Sequence, residues 1–283
     1  MSIITGAAAS ALNTARRYAE RGSAELHYLQ KMITAGALGI EPPANLAAMV
    51  ADIRRWGEVG MIPALNARRT PNRLAIIDDE GSITYADLND AVNAVANGLL
   101  AMGVRGGDGV GILARNHRWF SIANYACARV GARTIMLNTE FSGPQIRDVA
   151  HREGAKLIIY DDEYTEAVRL ADTPLGKLRA LGPDPAASTP STSIDETLAE
   201  LISRSSIAPA PKATKRSSMI ILTSGTTGTP KGANRHAPPT LAPIGGVLSR
   251  VPFKSGEVTA LPSPMFHAKL NKKAPRLNLG SFF

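Results

Sequence analysis

From Pro71 to Tyr160 short apolar runs alternate with amphipathic stretches of helical period, and this alternation constrains the fold more than any other feature of the chain. Residues 75–78, 110–114, 133–137 and 156–160 have strand length and are apolar over most of that length. Between them lie stretches that carry their own start and stop signals. Thr84 can cap a helix whose first turn holds Asp87, and Leu88, Val92, Val95, Leu99 and Leu100 then recur at helical spacing. Gly103 closes that helix in the left-handed conformation. Residues 117–130 read as a second helix ending at Gly131. Ser142 and Gln145 form a capping box for a third, which stops at Gly154. Apolar strands separated by helices imply an α/β fold in which parallel sheets are covered by helices on both faces.

Outside this region the signals are weaker. Residues 183–193 are a loop by composition, and Ser193 with Glu196 is expected to start a short helix. Residues 205–216 are rich in Pro, Ser and Lys, and a strand is expected over 218–223. Gly109 and Gly111 match a relaxed dinucleotide fingerprint, but they fall inside a strand rather than after one, which argues against a nucleotide there. Residues 1–12 are apolar without a preceding basic residue, so a secretory signal is not expected. The first thirty-odd residues read as an amphipathic helix broken near Gly22. It packs on the body of the protein, with peripheral membrane contact as the alternative.

The net charge of +8 suggests nucleic acid until it is divided along the chain. Residues 1–200 hold 20 Lys and Arg against 23 Asp and Glu, a balance of −3, whereas residues 201–283 hold 12 against one, a balance of +11. Basicity confined to one end suggests either phosphate handling or a piece missing its acidic counterpart, and the lack of interleaved aromatics argues against a nucleic-acid groove. The single Cys127 excludes an internal disulfide, fits a reducing cytoplasm, and reads as a buried structural thiol. The other histidines, His27, His117, His151 and His236, read as surface or capping residues.

Chemistry is concentrated in one stretch. The apolar run 219–222 leads into Thr223, Ser224, Gly225, Thr226, Thr227, Gly228, Thr229, Pro230, Lys231 and Gly232. Glycines let backbone N–H groups converge on an anion. The hydroxyls can donate to phosphate oxygens or meet a metal ion, and Lys231 adds a positive charge. This is a phosphate cradle, but not the common P-loop, which needs Gly-Lys-Ser/Thr after four spacer residues. A flexible Gly/Thr linker would account neither for the apolar strand that enters the loop nor for its Pro-Lys-Gly ending.

These ten residues resemble the signature phosphate loop of the adenylate-forming superfamily. Two further stretches agree: 71–108, with Ile83-Thr-Tyr-Ala-Asp-Leu88 and Gly103-Val-Arg-Gly-Gly-Asp108, and 261–268, Leu-Pro-Ser-Pro-Met-Phe-His-Ala. The wording of the last resembles the fatty-acyl-CoA ligase branch. The resemblance implies the N-terminal domain of such an enzyme. It also implies a two-step reaction, in which ATP activates a fatty acid to an acyl-adenylate and coenzyme A then takes the acyl group. It further implies that the loop holds the β- and γ-phosphates, that Mg2+ lies near Thr223, and that Lys231 and His267 act in catalysis, His267 bordering the acyl chain. An aryl-acid or acyl-carrier-protein ligase, or a non-catalytic nucleotide-binding protein, is the alternative.

The expected division is a helical extension over 1–65, a partial AMP-binding domain over 66–268, and a tail over 269–283. That tail has four basic residues and no acid, and it departs from the family's pattern. The resemblance therefore implies a truncated domain that lacks the family's later elements, with thioester formation by this chain alone in doubt.

Overall fold

The computed structural model describes residues 22–36, 39, 42–182, 192–223, 231–235, 246, 248–250, 254–261 and 265. These fall into two units: a small one holding 22–36, 39 and the described residues from 246 to 258, and a large one holding the rest. In the small unit a helix, α1, runs over 22–34. Among the described residues the helix starts at Gly22, where a break was expected, and residues 1–21 lie outside them. The chain leaves α1 at Gly36, where φ is +73°, and the Ser255 amide donates to the Ala35 carbonyl at 2.6 Å.

The large unit opens with two helices, α2 (Pro43–Gly60) and α3 (Ile62–Arg69). Next come strands β1 (Leu74–Asp78) and β2 (Gly81–Thr84), which pair antiparallel and form a sheet of their own. The 75–78 strand is thus not a member of the parallel series. Asp78 partners Gly81, so only two residues join the strands, far fewer than a parallel crossover requires. The alternation then proceeds as α4 (Tyr85–Ala101), β3 (Gly109–Leu113), α5 (Arg118–Val130), β4 (Arg133–Met136), α6 (Gly143–Arg152) and β5 (Ala155–Tyr160). A short 3-10 turn, α7 (Thr165–Val168), β6 (Lys177–Arg179) and α8 (Leu198–Ser203) follow. The chain returns to the sheet in β7 (Ser218–Thr223) and β8 (Lys231–Arg235).

The main sheet has the order β6-β5-β3-β4-β7-β8, parallel throughout except for β8 at its edge. Side chains alternate between two cores, which is why the strands read as apolar throughout. Val110, Ile112, Met136, Leu157 and Ile159 join α4 and α5 residues on one face. Leu113, Ile135, Ile158, Tyr160 and Ile220 join α6 and α7 residues on the other. The cap signals hold: the Thr84 side chain accepts from the Asp87 amide, Ser142 and Gln145 form their capping box, and Gly131 ends α5 at φ +77°.

The helix expected from Ser193 and Glu196 forms four residues later. Thr197 and Glu200 make the capping box of α8. The Ser193 hydroxyl instead lies 2.7 Å from the Tyr160 hydroxyl and accepts from the Asp195 amide, so a tertiary bond takes the oxygen that a cap would use.

Candidate functional site

Because β3, β4, β5 and β7 are parallel, the segments that leave them emerge on one edge of the sheet, the edge where open α/β sheets bind ligands. The candidate phosphate loop leaves this edge. Strand β7 lies in register beside β4, with Ile220 opposite Ile135, and Ile220 and Leu222 point to the second core. Thr223 is its last residue. Lys231 is the first residue of β8, Gly232 the second, and β8 runs back antiparallel so that Thr223 and Lys231 are paired positions. The sequence reading had the entering strand but not the returning one. Both ends of the loop are therefore joined by the β7–β8 ladder at the edge of the sheet, with β7 in turn paired to β4. The intervening Ser224, Gly225, Thr226, Thr227, Gly228, Thr229 and Pro230 lie outside the described residues, as does His267.

At the same edge the structure gathers residues that the sequence reading did not single out. Asp161 follows β5 and is 2% exposed. Its Oδ2 accepts from the Arg115 amide at 2.7 Å and lies 2.9 Å from His117 Nε2, while its Oδ1 has no partner among the described residues. His117 is the N-cap of α5, its ring accepting from the Phe120 amide at 3.4 Å, so it is a capping residue as expected, yet one tied to a buried carboxylate. Between these two anchored residues stands Asn116. Its side-chain amide donates to the Leu261 carbonyl at 3.0 Å, and its Oδ1 accepts from the Met265 amide at 2.8 Å. Met265 itself packs against the first core. The available signal was an Asn-His pair directly after a buried strand, where a parallel sheet presents its loops.

Outside this cluster, Arg115 and Glu163 form an ion pair, with the second guanidinium nitrogen 2.7 Å from Oε2. The Arg115 hydrogen bonds hold the Glu163 carboxyl below the usual range against its partial desolvation.

Two other candidates resolve as structural. A Cβ on Gly109 would lie 2.7 Å from the Gly154 carbonyl oxygen, and one on Gly111 would lie 3.1 Å from a Leu137 methyl. Both glycines serve strand packing, in agreement with the reading that no dinucleotide sits there. Burial pushes the Cys127 thiol up to about 12, with a hydrogen bond to Thr134 acting the other way. It stays protonated and buried, which excludes a nucleophilic role. Among the described residues no group of His, Cys, Asp and Glu could hold a metal ion, and no helix is long and apolar enough to cross a membrane.

A family model described as AMP-binding enzyme matches residues 64–269. A feruloyl-CoA synthase from Amycolatopsis sp. is 30% identical over 217 residues, covering 74% of this chain and 40% of that protein. The long-chain-fatty-acid–CoA ligase FadD13 of Mycobacterium tuberculosis is 26% identical over 212 residues, covering 74% and 41%. The chain thus spans about two-fifths of the length of these relatives. Among solved structures, the inhibitor-bound N-terminal domain of FACL13 from Mycobacterium tuberculosis superimposes with a TM-score of 0.55 at 24% identity, covering 74% of this chain and 52% of that one. That likeness establishes the fold: helix-covered parallel sheet of the kind found in adenylate-forming N-terminal domains.

Proposed function

This chain belongs to the AMP-binding enzyme family, the adenylate-forming ligases, and on that premise we propose that it serves to activate a carboxylic acid with ATP. In the first step a carboxylate oxygen attacks the α-phosphorus, the bond to the bridging oxygen breaks, and pyrophosphate leaves. In the second the thiol of coenzyme A loses its proton and its sulfur attacks the acyl carbon, and AMP departs. Both partners of the first step are anions, so positioning and charge neutralisation must supply most of the catalysis.

The observation that carries this reading is the pairing of Thr223 with Lys231 at the carboxyl edge of the parallel sheet. It brings a lysine backbone beside the start of a Gly- and hydroxyl-rich loop, as a polyphosphate site requires. In this proposal residues 223–232 hold the β- and γ-phosphates and Lys231 offsets their charge. Thr223 would offer one oxygen to Mg2+, an ion that takes oxygen ligands and usually completes its shell with phosphate oxygens and water. When bound, the ion neutralises phosphate charge and fixes phosphate orientation. His267 would border the acid. Residues 66–268 would form the adenylate-forming part, flanked by 1–65 and 269–283, and the reaction would take place in the cytoplasm.

A fatty acid is the first substrate class, supported by the Pro-Met-Phe-His wording of 264–267 and the FadD13 relative. An aryl acid is the second, supported by the feruloyl-CoA synthase relative. Acid-dependent exchange of labelled pyrophosphate into ATP, with dodecanoic acid and ferulic acid as probes, tests the reading. Exchange with either acid, lost in Lys231→Ala, is the expected result. ATP binding without exchange would replace it with the non-catalytic reading.

A further inference from the structure

We infer that Asn116 is a positioning residue for the acid pocket, tying down Leu261 and Met265, which precede His267 in the chain. The inference rests on the reading that His267 borders the acid. Its geometric ground is independent of that reading. One side-chain amide bonds both ends of a five-residue segment: its NH2 donates to the Leu261 carbonyl at 3.0 Å and its Oδ1 accepts from the Met265 amide at 2.8 Å. An asparagine suits this task because donor and acceptor sit on one rigid plane, which neither a hydroxyl nor a carboxylate offers.

The clamp has a rigid base. Asp161 accepts from the Arg115 amide at 2.7 Å and contacts His117 at 2.9 Å, so the residues on either side of Asn116 are tied to the end of β5. Asp161 is 2% exposed, so its carboxylate is largely shielded from water. The path thus runs from the sheet edge through Asp161 and Asn116 to the Leu261 carbonyl and the Met265 amide. Met265 adds a packing contact with the first core, which fixes the far end of the segment. Residue 267 is two positions further on.

The test uses the full chain with Asn116→Ala and Asn116→Asp. The first readout is amide hydrogen exchange at Met265. Asn116→Ala removes the acceptor, and at about 1.4 kcal/mol for the lost bond, exchange should accelerate roughly tenfold. Asn116→Asp keeps an acceptor for Met265 but sets an acceptor oxygen against the Leu261 carbonyl, so Met265 should stay protected while the Leu261 end is released. The second readout is pyrophosphate exchange. Both variants should raise the KM for dodecanoic or ferulic acid about tenfold while the KM for ATP changes less than about twofold.

Unchanged protection of Met265 in Asn116→Ala would overturn the clamp. Faster exchange with an unchanged acid KM would overturn the positioning role, as would equal losses toward acid and ATP. If the unaltered protein exchanges no pyrophosphate with either acid, the adenylation reading falls and takes the pocket role with it, while the Met265 amide still decides whether the clamp exists.

Discussion

Gly131 and Gly176 form a natural pair for testing how tightly the sheet is packed. Their φ angles are nearly the same, +77° and +78°. A Cβ on Gly176 would meet nothing within 4 Å, whereas one on Gly131 would lie 2.2 Å from the Lys215 carbonyl oxygen and 3.1 Å from the Ala213 side chain. An L-residue in the left-handed region costs about 1–2 kcal/mol. Gly176→Ala should lose only that, about 1 kcal/mol. Gly131→Ala bears the same cost plus a backbone collision, for which overpacking adds about 1–3 kcal/mol. A loss near 3 kcal/mol is expected, and in a chain of this size about 2–4 °C of Tm accompanies each kcal/mol. The displaced segment leads directly into β7, whose Ser218 amide reaches the Ala132 carbonyl at 3.3 Å, so the strain falls on the strand that carries the candidate phosphate loop. Urea melts of both variants, followed by circular dichroism, measure the difference. Equal losses, or a Gly131→Ala protein within about 1 kcal/mol of the parent, would refute the packing argument.

Asp78 and Arg118 form a nearly buried ion pair, with side chains 8% and 12% exposed. Desolvation raises the Asp78 carboxyl, but the Arg118 side-chain and backbone hydrogen bonds and its charge outweigh it and leave the pKa below the usual 3.8. The pair's stabilisation is therefore complete above the unfolded value and is lost as pH falls through the lower folded one. Asp78→Asn should cost about 3 kcal/mol at pH 6 in a urea melt, with the gap to the parent closing below about pH 4. A gap independent of pH would show that the carboxylate charge contributes nothing. Cys127, buried and with its pKa raised, should resist a thiol reagent at pH 8 in the native protein and react fully in urea. Rapid native labelling would contradict its burial. The lost pyrophosphate exchange of Lys231→Ala should come with weaker ATP binding, measured by calorimetry.

Local signals were legible where they compete with nothing. The Thr84 and Ser142 caps, the Gly131 terminus and the strands at 110–114 and 156–160 depend on neighbouring residues and on burial of both strand faces. The failures lie where distant residues decide. Ser193 has the credentials of a cap, but the Tyr160 hydroxyl claims it. Strand β6 has only three residues, Lys177–Arg179, with one buried side chain, and exists because β5 needs a neighbour. Strand β8 carries no apolar run and is defined by its pairing to β7. The candidate phosphate loop stands out in the sequence through its unusual composition, while its residues 224–230 lie outside the described ones. Asn116 was not, since its partners are about 145–149 positions away in the chain and no periodicity reports such a contact.

The start of α5 is supplied from outside the helix. Its first turn contains no acidic residue and begins with the cation Arg118, an arrangement that the helix dipole disfavours. Two distant carboxylates compensate: Asp78 from the β1–β2 hairpin accepts the Arg118 amide at 2.8 Å, and Asp161 from the end of β5 holds the Arg115 amide and faces His117. Cut from the chain, these residues would keep only the local His117 cap, whose bond to the Phe120 amide is long at 3.4 Å. The hairpin and β5 complete the start of this helix, so the segment bearing Asn116 depends on two strands far from it in the chain.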